Sequence, residues 1–161
     1  MAKEAKTNAM RMLERAKVAY TAHEYPHEEG QAVDGANVAR LTGQDPAKVF
    51  KTLVTQGADR NYYVFVVPVL AELDLKKAAK AAGVKSVAMI HVADINKLTG
   101  YIRGGCSPIG MKKLFATVLD ESCLSLDTIV FSAGKIGMQI EMDPRALLEF
   151  IGAKTAVITA G

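Results

Sequence analysis

The stretch Val49-Phe50-Lys51-Thr52-Leu53-Val54-Thr55-Gln56, then Gly57-Ala58-Asp59-Arg60-Asn61, then Tyr62-Tyr63-Val64-Phe65-Val66-Val67-Pro68-Val69, decides how this chain folds. Two runs rich in β-branched and aromatic residues flank a short segment that opens on glycine, which is the pattern of a β-hairpin. The second run is apolar on both faces and is therefore expected in the middle of a sheet. In the first run, alternation places Phe50, Thr52 and Val54 on one face and Lys51 with Leu53 on the other.

Working outward toward the N-terminus, Asp45-Pro46 reads as a helix cap followed by proline at the first helical position. A helix through Ala36–Leu41 stops at Gly43, the segment Tyr20–Tyr25 reads as a strand ending at Pro26, and Thr7 caps a first helix carrying Met10 and Leu13. Toward the C-terminus, Asp74 caps a helix over Leu75–Ala82 that Gly83 ends. Strands are expected at Ser86–Ile90, Phe115–Leu119, Thr128–Ser132, Met138–Met142 and Ala156–Thr159. A short helix over Asp94–Leu98 closes at Gly100, and Asp143-Pro144 starts a helix through Phe150 that Gly152 ends. No repeat or linker interrupts the chain, so residues 1–161 are read as a single domain. Strands and helices mix without strict βαβ alternation. The expected class is α/β (α+β), a mixed, mostly antiparallel sheet or partly closed barrel surrounded by helices.

The composition narrows the functions open to such a fold. Of 161 residues, half are hydrophobic and 23% are charged, an ordinary globular balance. No apolar run approaches the ~20 residues that span a bilayer, so no membrane partner is expected. The basic start Met1-Ala2-Lys3-Glu4-Ala5-Lys6 lacks an apolar region behind it, so a secretory signal is not expected and cytoplasmic residence is. A net charge of +3 is too mild for a duplex-DNA binder but suits contact with a few phosphates. The lysines of Lys76-Lys77 with Lys80, and of Lys112-Lys113, read either as solvated helix faces or as such contacts. His23 and His27 are four apart, but Pro26 denies them a shared helical face, and no metal or other cofactor is expected.

The densest local signal is Gly100-Tyr101-Ile102-Arg103-Gly104-Gly105-Cys106-Ser107-Pro108-Ile109-Gly110. Four glycines and a proline in eleven residues permit a tight path that can turn several N–H groups into one concavity, where an anion or oxyanion is held. A purely structural turn has the same composition. The glycine spacing matches neither a dinucleotide fingerprint nor a phosphate loop. Ser107 lacks the elbow motif of a serine hydrolase. Cys106, with no histidine close by in sequence, reads as a small apolar residue of the loop rather than a nucleophile. Lys51 interrupts an apolar strand and must reach solvent, pair with an acid or enter a polar cleft. Ser132 and Gly134, in Phe131-Ser132-Ala133-Gly134-Lys135, read as pocket lining or as plain turn chemistry.

Taken together, Val49–Val54, Leu75–Lys80, Thr99–Lys113 and Phe131–Lys135 make the chain similar to the YbaK/EbsC family of aminoacyl-tRNA deacylases, relatives of the editing domain inserted in bacterial prolyl-tRNA synthetases. The order and spacing of these blocks carry the resemblance over nearly the whole chain. It implies that Lys51 is essential and positions the 3′-terminal ribose or phosphate of an aminoacyl-tRNA. It implies that the stretch from Gly104 and Gly105 through Cys106, Ser107 and Pro108 holds the aminoacyl carbonyl through backbone donors. Tyr25, Phe50, Thr52 and Ser132, with Gly134, would shape the amino-acid pocket. The branch it looks most like removes cysteine from tRNA(Pro), with the substrate's own thiol attacking its ester. Removal of alanine or another small residue, or non-catalytic binding of a tRNA end, are the alternatives. The 3′ end of aminoacyl-tRNA is the implied partner, with prolyl-tRNA synthetase as a second.

Overall fold

The computed structural model describes residues 6–25, 35–103 and 105–160. Among them are eight strands: β1 (Thr21–Glu24), β2 (Phe50–Gly57), β3 (Tyr62–Pro68), β4 (Val87–Met89), β5 (Ala116–Asp120), β6 (Ile129–Lys135), β7 (Met138–Met142) and β8 (Lys154–Ala156). Five helices accompany them: α1 (Asn8–Arg15), α2 (Gly35–Thr42), α3 (Leu75–Ala82), α4 (Val92–Thr99) and α5 (Pro144–Ile151).

The helix ends follow the local chemistry. Thr7, Asp74 and Asp143 each accept a backbone N–H from the first turn of α1, α3 and α5, filling donors that no helical carbonyl can reach. Asp45 does the same for the 3₁₀ turn Pro46–Lys48. Helix α4 begins earlier than its sequence suggests, at Val92, with Asp94 inside its first turn rather than before it.

β2 and β3 pair antiparallel from Phe50–Pro68 to Gln56–Tyr62, so the hairpin forms as expected, and β3 is the central strand of its sheet. The strands nevertheless divide into two sheets and form no closed barrel. One is mixed and five-stranded in the order β4-β2-β3-β5-β8, and the other is antiparallel and three-stranded in the order β1-β7-β6. The last strand lies earlier than Ala156–Thr159. The reason is that the Ile158 N–H is taken by the buried Asp120 carboxylate at 3.1 Å and Thr159 bridges Leu73 instead. Asp120 also caps a 3₁₀ turn, Glu121–Ser125, that carries no glycine or proline signal in the sequence.

An isolated parallel bridge between Val49 and Val130 joins the two sheets. Strand alternation then gives them common faces. Phe50 and Val66 of the large sheet share one core with Phe131, Ala133, Met138 and Ile140 of the small one, and α1 and α5 cover it through Met10, Leu13 and Leu147. On the opposite face, Val49 and Val130 pack with Ala39 of α2. Further along that face, Phe65 and Val67 pack under Ala78 and Ala79 of α3.

Candidate active site

The site is built where the two sheets part. From the Val49–Val130 bridge, β2 and β6 set out in the same direction and then go to different partners. Two residues beyond the bridge on each strand are Lys51 and Ser132, on the same face as Val49 and Val130. Both are half-buried. Among the described residues Lys51 has no carboxylate partner, so its charge is uncompensated in a partly desolvated place.

The Gly-rich loop is seated in this gap. Cys106 packs against Val54 and Val64 on one side. On the other, a Cβ at Gly105 would come within 3.1 Å of the Ile136 amide nitrogen, so only glycine lets the loop press against the β6–β7 turn. The pairing of β6 with β7 shifts register between Ser132 and Lys135. Gly134 in that bulge has φ +99° and lies under the Tyr101 ring, with no space for a side chain. The Tyr101 hydroxyl donates to the Ile109 carbonyl, and burial pushes its pKa up to about 12. The tyrosine is thus a neutral strut of the loop.

The backbone donors of the loop divide into used and unused. Gly105 N–H donates to the Ile102 carbonyl at 2.9 Å, and Ile109 N–H to Ser107 Oγ at 3.3 Å. The amides of Cys106 and Ser107 have no acceptor among the described residues, although both residues are buried. Unpaired N–H groups in such a place are rare in folded proteins and are what a carbonyl-binding site requires. Gly104 lies outside the described residues, as do Pro26 and His27.

The other expected residues are distributed around this centre. Thr52 faces the side of the sheet that the loop covers, and its buried hydroxyl has no partner. Phe50 is 2% exposed and belongs to the main core, so it backs the gap rather than opening onto it. Tyr25 is buried with Val38 of α2 and Ile136. Pro108 is buried, and Ser132 Oγ accepts the Gly134 N–H at 3.1 Å, a local turn bond. Burial raises the Cys106 thiol to about 11, so near neutral pH it is protonated and a poor nucleophile. No group of three metal-ligating side chains occurs among the described residues.

Two residues that sequence reasoning passed over stand beside Ser132. Gln139 on β7 is its cross-strand neighbour and that of His23, is 5% exposed, and keeps an unpartnered Oε1. Glu141, the next residue on that face, accepts from Lys48 at 2.7 Å and from Thr128, and pairs with His23 at 2.7 Å. Burial alone would raise the Glu141 carboxyl, yet the hydrogen bonds from Lys48, Thr128 and His23 bring it down to about 2. The alternation Met138-Gln139-Ile140-Glu141-Met142 signals one polar face; what it cannot signal is that His23, Lys48 and Thr128 converge on Glu141 there. A separate open hollow of about 310 Å³, lined by Gln56, Tyr62, Met89, His91 and Asp94, contains none of the expected site residues. Gln56 is five residues along β2 from Lys51, roughly 17 Å at strand spacing.

The chain is similar to known proteins over most of its length. The family model described as the aminoacyl-tRNA editing domain matches residues 28–150. A protein of Enterococcus faecalis, EbsC, named as a candidate Cys-tRNA(Pro)/Cys-tRNA(Cys) deacylase, is 49% identical over 154 residues, covering 96% of this chain and 93% of its own. A crystal structure described as a candidate trans-editing enzyme for prolyl-tRNA synthetase superposes with a TM-score of 0.81 at 24% identity, covering 98% of this chain and all of that one. A hypothetical protein of known structure superposes with a TM-score of 0.83 at 22% identity, covering 93% and 97%. At those identities the two structures establish the fold alone.

Proposed function

The chain belongs to the aminoacyl-tRNA editing domain family, and from that premise we propose that it is a trans-editing deacylase that releases cysteine from mischarged Cys-tRNA(Pro). The observation that carries the reading is the pair of amides at Cys106 and Ser107, which have no acceptor among the described residues and belong to the loop seated between Val54 and the β6–β7 turn. An ester carbonyl is a neutral acceptor that becomes an oxyanion during acyl transfer, and such donors stabilise it most when its charge is greatest.

The reaction needs a nucleophile, and neither nucleophilic side chain of the loop is poised as one. Cys106 is held as a thiol, and Ser107 Oγ is 0% exposed and accepts a backbone N–H. The substrate cysteine supplies it instead. Its sulfur attacks its own carbonyl carbon, the bond from that carbon to the terminal ribose oxygen breaks, and the thiol proton passes to that oxygen. The products are a cyclic thiolactone and tRNA with a free terminal hydroxyl. Holding the two ends of one aminoacyl group in attack geometry is a proximity effect that needs no protein base of unusual strength.

Lys51 places its cation at the terminal ribose or the adjoining phosphate, while Thr52, Ser132 and Tyr25 bound the side-chain pocket. The name of the Enterococcus relative includes both tRNA(Pro) and tRNA(Cys), which favours recognition of the cysteinyl group over the tRNA body. The enzyme works in the cytoplasm, in trans to prolyl-tRNA synthetase. A deacylation panel of Cys-, Ala- and Ser-charged tRNA(Pro) tests the assignment. Cleavage of the cysteinyl ester with sparing of the other two is expected, and equal rates on Ser- and Cys-tRNA(Pro) overturn the thiol mechanism.

A further inference from the structure

We propose that the exposed lysine face of α3, extended by Lys85, is the surface on which the phosphates of the tRNA acceptor arm dock. Helix α3 reads Leu-Lys-Lys-Ala-Ala-Lys-Ala-Ala, and its Ala78 and Ala79 are buried against the sheet. That packing turns Lys76 and Lys80 outward one helical turn apart, and Lys85 is exposed just after the helix ends. Lys77 is spent within the fold, its Nζ donating to the Thr159 carbonyl at 2.9 Å.

Three features set this face apart from an ordinary solvated helix. Like charges one turn apart repel, and Lys76, a cation in the first turn, opposes the helix dipole, while Lys80 in the last turn is favoured by it. The acid at the start of the helix, Asp74, uses its carboxylate to cap it, accepting the Lys76 and Lys77 backbone N–H groups. Lys76, Lys80 and Lys85 have no carboxylate partner among the described residues. A row of ammonium groups held in no ion pair is complementary to a phosphodiester backbone, and it would read no sequence.

The position of the face also suits a tRNA. Lys51 and its cross-strand partner Val67 lie on the side of the large sheet that α3 covers, since Val67 packs with Ala78 and Ala79. A strand of nucleic acid whose terminal ribose reaches Lys51 therefore has α3 beside it. Lys112 and Lys113 belong to the Gly-rich loop, which is seated between Val54 and the β6–β7 turn, and are assigned no part in docking.

This inference rests on the deacylase reading for its ligand, and the experiment separates the two. The triple variant Lys76→Ala/Lys80→Ala/Lys85→Ala is compared with the whole unaltered chain and with Lys112→Ala/Lys113→Ala. Each is measured for binding of uncharged tRNA(Pro), for deacylation of Cys-tRNA(Pro), and for cleavage of cysteinyl-adenosine, an ester without an acceptor arm. In the triple variant, tRNA binding should weaken at least tenfold and KM for Cys-tRNA(Pro) rise in step, with kcat and cysteinyl-adenosine cleavage unchanged. The slope of log affinity against log salt should flatten by about 2–3, as expected for the loss of some three phosphate contacts. Unchanged tRNA binding in the triple variant, or a larger loss in Lys112→Ala/Lys113→Ala, overturns the docking surface. If the unaltered chain cleaves neither ester, the deacylase reading falls, and the tRNA-binding measurements still decide the surface.

Discussion

Gly105 lies directly against Ile136: a methyl group on it would stand 3.1 Å from the Ile136 amide nitrogen and 3.4 Å from Lys135 backbone atoms. Those neighbours are main chain in a turn and cannot swing aside as a side chain does. Gly105→Ala should therefore displace the loop from the β6–β7 turn. A loss of about 1–3 kcal/mol in stability is expected from overpacking, and at least a tenfold loss in kcat/KM, because the Cys106 and Ser107 amides move with the loop. Thermal melts and steady-state deacylation check the two effects separately.

Lys51 has no acidic partner to strand among the described residues, so its removal should cost activity without costing the fold. Lys51→Ala is expected to lower deacylation on the order of 100-fold while the melting temperature stays the same or rises slightly. Lys51→Arg should recover little, because a planar guanidinium does not occupy the place of a compact ammonium. Activity near that of the unaltered chain in Lys51→Ala would remove the role assigned to this residue.

The buried Thr52 hydroxyl has no partner among the described residues. Replacing it with the isosteric Thr52→Val removes an unsatisfied polar atom and should stabilise the protein by up to about 1 kcal/mol. If that hydroxyl meets the substrate, the same variant should lose activity. A variant that is both more stable and less active is the expected outcome, read by denaturant melts alongside deacylation rates.

Burial raises the Cys106 and Cys123 thiols to about 11, so neither should react with iodoacetamide in the native protein at pH 7. Mass spectrometry after brief labelling should show both free, with modification growing only on unfolding or as the pH approaches 11. Cys106→Ala should keep its deacylase activity and lose about 1 kcal/mol of stability through the small cavity it leaves. Abolished activity in a folded Cys106→Ala protein would restore the thiol as a nucleophile.

Glu141 titrates in the folded protein near 2, below its ordinary 4.5. A carboxyl depressed by folding stabilises the native state at pH values above its unfolded pKa, and that contribution fades as pH falls through the window from about 4.5 to about 2. Melting temperature should decline across that window. Glu141→Gln should flatten the decline and cost roughly 1–3 kcal/mol at neutral pH, since Lys48 and His23 then lose a charged acceptor.

Local chemistry carried most of the fold. Thr7, Asp45, Asp74 and Asp143 announce helix starts through side chains acting two or three residues away, and the Val49–Val69 hairpin closes over a five-residue turn. What a linear reading missed is the division of the strands into two sheets, because that depends on partners far apart in the chain. β1 pairs with β7 through contacts such as His23 with Glu141, 118 residues apart. The same distance explains the site. Lys51 stands out as a cation in an apolar run, and the glycines of the loop stand out by composition. Gln139 and Glu141 look like ordinary outward-facing polar residues until His23 and Lys48, from far earlier in the sequence, are brought beside them.

The small sheet draws β1 from the first 24 residues and β6 and β7 from the stretch ending at Met142. During synthesis, the β2–β3 hairpin can close long before its neighbour exists. The gap that holds Lys51 and the loop has only one wall until β6 is made, and β1 must wait for β7 with its edge unpaired. A chain still emerging from the ribosome thus has the lysine and the loop before it has the strand that faces them.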